Sequence, residues 1–165
     1  MAIGDQKYLD ECEEVFLPNF PLENHWTERK FTRGFCWDDH SQAAALLYAI
    51  NTGKDVWIEQ VQSHLDYWTI SYCGKKVEYT PDGMAWLFQW GSTRCCANTV
   101  FIALVAYNHI FKDNSELVKR YRNFANKKFD YCFGDNKLGL SYVIGMGKNP
   151  KTAHHRGISG IHDDH

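Results

Sequence analysis

Ser92–Phe111 reads STRCCANTVFIALVAYNHIF. Residues 95–107, CCANTVFIALVAY, would put apolar side chains on nearly every side of a helix. A helix of that kind is buried on most sides, so the run predicts an inner helix in a layered helical protein. It is too short and too interrupted to cross a bilayer. Ser92 offers a cap at its start. Arg94, one turn in, places a charge among apolar neighbours. Such a charge wants a carboxylate or a polar pocket, and an ion pair is expected there.

Working outward, Lys112–Ser115 reads as a turn and Ser115 as the cap of a helix to Phe133. Leu117, Tyr121, Phe124, Lys128 and Cys132 form its mostly apolar stripe. Lys119, Arg120, Arg122, Asn123 and Lys127 form the solvated face, and Gly134 stops the helix. Toward the N-terminus, Tyr72–Gly83 reads as an extended connection or short hairpin. Lys54–Ile70 carries Trp57, Val61, Leu65 and Trp68 at helical spacing. Ser41–Asn51, rich in Ala and Leu, is a second apolar helix that ends before Gly53, with Asp38 and Asp39 as N-caps. Residues 15–35 read as loop after a helix end near Glu14, and residues 135–165 read as loop. The order is helix pair, connection, helix pair, and the first helix of each pair is the more apolar. The expected fold is all-α: antiparallel hairpins, each an inner helix followed by an outer one, forming part of a toroid. Trp37 and Trp90 each precede an inner helix, so both are expected at one end.

Composition narrows the function. A formal net charge of -2 gives no reason to expect nucleic acid or an anionic membrane as partner. The six cysteines form no CxxC pair, so no zinc knuckle or redox motif is visible. Cys95 and Cys96 read as small buried hydrophobes. MAIGDQKYLDECEE has no apolar core of a signal peptide. Ten Phe, nine Tyr and six Trp supply either a large core or surfaces for flat ligands. Exposed indoles stack on the C–H faces of sugar rings, which makes Trp37 and Trp90 candidates. His154-His155-Arg156 combines a fork of donors with groups that both donate and accept. Asp38 and Asp39 could pair as acid and base, although capping explains them more simply. His154, His155, His162, Asp163, Asp164 and His165 are metal-ligand types, but their spacing fits no standard site.

Five blocks together resemble a known family: FCWDDHSQAAALLYAINTGK (35–54), LDYWT (65–69), VEYTPDGMAWLFQWGSTR (77–94), YRNFANKKFDYCFGDN (121–136), and SYVIGMGKNP (141–150) followed by HHRG (154–157). They resemble, in family order, glycoside hydrolase family nine, the endoglucanases and cellobiohydrolases, especially the bacterial cellulosomal type. The resemblance implies a partial (α/α)6 toroid, with residues 1–165 forming a piece of one catalytic domain. It implies cleavage of β-1,4-glucan, as polysaccharide or oligosaccharide, with inversion. It implies a secreted protein and no cofactor. Trp37 and Trp90 correspond to sugar-stacking residues, Arg94 to the cleft arginine of WGS-x-R, and His154 and Arg156 to an active-site His-x-Arg. The family's DAGDH-like base segment and NE-containing acid segment are both missing from these 165 residues. Ala153 stands where the family has Pro before the first His. The chain alone is therefore expected to be inactive, to need the missing parts of its domain, and to self-associate. A non-catalytic β-glucan binder and a metal-binding helical protein are the alternatives.

Overall fold

The computed structural model describes residues 6–19, 30–32 and 34–148. Five α-helices carry the fold: α1 Lys7–Asn19, α2 Ser41–Thr52, α3 Asp55–Thr69, α4 Ser92–His109 and α5 Ser115–Cys132. A 3-10 turn covers Lys30–Thr32, and two short strands, β1 Glu78–Tyr79 and β2 Ala85–Trp86, pair antiparallel between the hairpins. The α1 helix continues past Glu14, where the sequence reading expected a loop.

Both expected hairpins form. Gly53 adopts φ +64 and its N–H donates to Ala49 O, ending α2 and turning the chain directly into α3. That left-handed conformation is the one glycine adopts without a Cβ penalty. Trp57, Val61, Leu65 and Trp68 are all buried along α3. The α4–α5 turn closes at residues 110–114. Three caps differ from expectation. Asn114, not Ser115, caps α5, its side chain accepting from Leu117 N–H. Gly91 precedes α4, and the Ser92 hydroxyl bonds back to Phe88 instead of capping. His40 precedes α2, and Asp39 reaches over it to accept from Ser41 N–H at 3.0 Å.

The two hairpins meet along α2–α4 and α3–α5, with α3 packed against the 3-10 turn as well. The most enclosed helix is α3, not the more apolar α2 or α4. Its polar residues tolerate burial because they are bonded internally. Gln60 Nε2 donates to Gln42 Oε1 at 2.8 Å, linking α3 to α2. Ser63 Oγ donates to Gln60 O, and His64 Nδ1 lies 2.8 Å from Phe31 O. Asp66 Oδ1 accepts from Arg120 Nη1 and from Tyr121 Oη, each at 2.9 Å, linking α3 to α5. Arg120 is thus half-buried at the α3–α5 contact, not fully on the solvated face assigned to it. Conversely α4 keeps an open side, on which Phe101 is 56% exposed. Among the described residues no helix is long and apolar enough to cross a membrane.

Candidate active-site cleft

A cavity of about 620 Å³ opens where α2 and α4 begin. Trp37, Asp38 and Asp39 line it from the turn before α2, and Phe88, Trp90 and Arg94 line it from the turn into α4. Tyr67 of α3 and Leu87, just beyond β2, complete the wall. Five of the residues singled out in the sequence, Trp37, Asp38, Asp39, Trp90 and Arg94, therefore converge. His154 and Arg156 lie outside the described residues.

Local bonding explains how the two tryptophans are presented. The turn that carries Trp37 closes when Cys36 N–H donates to Asp39 O at 3.0 Å. Asn98 Nδ2, on α4, donates to Phe35 O at 2.8 Å and fastens the loop from behind. Gly34 lies so close to Leu87 and Cys95 that an added Cβ would come within 2.7 Å of Leu87 Cδ2. With its base clamped, the turn projects Trp37 outward at 74% exposure, and Trp90, from the turn into α4, lines the same cavity at 62%. Neither indole is core, whereas Trp57 and Trp68 are.

Arg94 enters the cavity from the first turn of α4. Gly91 holds φ +68, and an added Cβ there would meet Arg94 Nη2 at 3.2 Å and Cζ at 3.3 Å. The guanidinium thus folds back under Gly91, and the glycine is required both for its backbone angle and for this approach. The expected ion pair is not found: Arg94 has no carboxylate partner among the described residues, and its buried Nε has no hydrogen-bond partner. Its guanidinium packs beneath Gly91 and interacts with the Cys95 thiol.

The two aspartates in the cavity already have tasks. Asp39 Oδ1 accepts from Ser41 N–H and Oγ–H, and Asp38 Oδ1 accepts from the Cys36 thiol at 2.8 Å. Burial, followed by this bond to Asp38, pushes the Cys36 thiol pKa up. Asp39 bonds the start of α2 from one position before the N-cap, and Asp38 does not. All six cysteines are thiols, with Cys36, Cys95 and Cys96 buried. Among the described residues no group of three or more His, Cys, Asp or Glu side chains is placed to hold a metal ion. The His154–His165 cluster lies outside them.

Tyr67, Leu87 and Phe88 were missed as cavity residues. For Phe88 the signal was present, since Trp86, Phe88 and Trp90 alternate along one segment. Tyr67 gave none, because it sits one position before Trp68 of the buried α3 stripe and is itself buried.

The profile of glycosyl hydrolase family 9 matches residues 1–165. The chain belongs to glycosyl hydrolase family 9. Endoglucanase B from Cellulomonas fimi is 39% identical over 160 residues, covering 96% of this chain and 15% of that protein. Endoglucanase A from Bacillus pumilus is 40% identical over 161 residues, covering 93% of this chain and 24% of that protein. The chain therefore spans a quarter or less of these curated relatives. Endoglucanase CelQ from Clostridium thermocellum, crystallised with cellotriose, superposes with a TM-score of 0.83 at 39% identity, over 93% of this chain and 25% of that one. A termite endoglucanase from Nasutitermes takasagoensis superposes at 0.74 with 32% identity, over 94% and 32%. The helical hairpins are accordingly a sector of the family's (α/α)6 toroid.

Proposed function

We propose that this chain forms one wall of the β-1,4-glucan cleft of a secreted, inverting endoglucanase-type hydrolase, and that by itself it binds glucan without cleaving it. The observation that carries this reading is the meeting of two exposed indoles and one guanidinium, without a carboxylate partner among the described residues, in a single cavity. Indoles offer flat apolar faces to pyranose C–H groups, and a guanidinium donates to hydroxyls in a fixed fork. The related CelQ structure, which holds cellotriose, supports the same substrate class.

Inverting hydrolysis needs an acid to protonate the leaving oxygen and a base to activate water, roughly 6.5–9.5 Å apart. Asp38 and Asp39 are poor candidates, since both are engaged in holding their own turn. The acid and base are assigned instead to segments outside these 165 residues. His154 and Arg156 are assigned to holding the sugar at the reacting bond. Binding that does not favour the transition state leaves the barrier unchanged. Acid and base terms are each worth about 10²–10⁴-fold, so their absence removes useful turnover.

The test is reducing-sugar release from carboxymethyl-cellulose by the purified chain beside a complete family member. No release above blank is expected, with retardation of the chain in a β-glucan gel. Turnover that disappears in Asp38→Asn would overturn the assignment. A non-catalytic glucan binder would share the same wall. It is distinguished by an inactive protein even when the whole domain containing this chain is tested.

A further inference from the structure

The β1–β2 ribbon carries an opposed pair that nothing in the fold employs. Glu78 and Trp86 face each other in the antiparallel register. Their neighbours Tyr79 and Ala85 pack on the core. Side chains alternate across a strand, so Glu78 and Trp86 share the solvent side. Trp86 is 44% exposed, and among the described residues its ring makes no hydrogen bond or ring contact. Glu78 is exposed and, among the described residues, has no ion pair.

The pair directly adjoins the cavity wall along the chain. Leu87, the next residue after Trp86, lines the cavity, as do Phe88 and Trp90 beyond it. Tyr67 ties β1 to the same wall, because its carbonyl accepts from Val77 N–H at 3.1 Å. Burial and then the charge of Glu78 push the pKa of the phenol of Tyr67, a cavity-lining residue, up. Exposed aromatic residues thus recur at alternate positions, Trp86, Phe88 and Trp90, and the last two line the cavity with Trp37. Exposed apolar residues grouped in this way mark a binding site.

We propose that Trp86 and Glu78 form an outer subsite that holds a glucosyl unit of a β-1,4-glucan chain leaving the cavity. The indole would take the C–H face of the ring. The carboxylate, an acceptor only when ionised, would receive two ring hydroxyls. This inference rests on the glucan reading of the cavity. It adds a residue that only longer oligosaccharides reach.

The experiment is titration calorimetry of the 165-residue chain with cellotriose and with cellohexaose, for wild type, Trp86→Ala, Trp86→Phe, Glu78→Ala and Trp90→Ala. Circular dichroism checks each fold. Trp86→Ala should weaken cellohexaose about fivefold or more and leave cellotriose unchanged, a loss near 1 kcal/mol. Trp86→Phe should recover part of the loss, and Glu78→Ala should show a smaller loss confined to cellohexaose. Trp90→Ala should weaken both ligands. If Trp86→Ala and Glu78→Ala bind both ligands as wild type does while Trp90→Ala does not, the outer subsite is wrong and the glucan reading stands. If Trp86→Ala weakens cellotriose equally, Trp86 is no separate subsite. If the wild type binds neither ligand, the glucan reading itself fails.

Discussion

Asp66→Asn probes the joint between the two hairpins without changing side-chain volume. In the folded chain one carboxylate oxygen receives both Arg120 Nη1 and Tyr121 Oη at 2.9 Å. Asp66 is nearly enclosed, with its side chain 10% exposed, while Arg120 retains a second partner in Glu116. Burial and then the Asp66 charge push the Tyr121 phenol above its ordinary pKa. Bonds to charged groups are worth about 1.5–3 kcal/mol against about 0.5–1.5 for neutral ones. Replacing the carboxylate by an amide therefore forfeits about 1 kcal/mol per bond, or about 2 kcal/mol for the pair. At a urea slope of about 2 kcal/mol/M, the unfolding midpoint should fall by about 1 M. Pulse proteolysis across a urea series, run dilute to keep chains apart, reads this midpoint. Glu59→Gln, on the exposed side of the same helix, is the control. A shift for Asp66→Asn within about 0.25 M of that control, the scatter of a surface substitution, would refute the role given to Asp66.

Three further outcomes follow from the geometry. Burial holds His64 neutral and lowers its pKa from 6.5 to about 4. Between those values the unfolded chain binds a proton that the folded chain refuses, so stability falls as pH drops through this window, by up to about 3 kcal/mol at pH 4. The urea midpoint of wild type should fall along that course while His64→Gln stays flatter, and parallel curves would count against it. Gly91→Ala should cost about 1–2 kcal/mol from its left-handed backbone and should also weaken cellotetraose binding by displacing Arg94, as calorimetry would show; unchanged affinity would mean the guanidinium does not contact sugar. The groove between α4 and α5, which includes the exposed Phe101 and Phe129, should drive self-association. Sedimentation velocity should show larger species that Phe101→Glu with Phe129→Glu disperses, whereas a monodisperse wild-type monomer would contradict this.

Much of the fold was legible because the α3 stripe and the Gly53 stop are local signals. The burial order of the helices was not. Apolarity suggested that α2 and α4 would be innermost, yet α3 is, because Gln60, His64 and Asp66 find partners on other segments. No periodicity within α3 announces those partners. Caps misled for a related reason. Ser92 and Ser115 are good cap residues by type, but Gly91 and Asn114 take the position because the preceding turns demand it. The meeting of Trp37, Trp90 and Arg94 in one cavity was legible through their blocks. The expected partner of Arg94 was not found, since its position is set by Gly91 and not by a carboxylate. Trp86 and Glu78 were invisible as a pair until the register placed them opposite each other.

The central claim is that the cavity between Trp37 and Trp90 holds β-1,4-glucan. Its most direct test is the set of indole N–H signals in a ¹H–¹⁵N spectrum of the labelled chain during titration with cellotetraose, assigned by single Trp→Phe variants. The account predicts that the Trp37 and Trp90 signals move in a saturable way while those of the buried Trp57 and Trp68 stay in place. Saturating ligand that moves neither Trp37 nor Trp90 would contradict it.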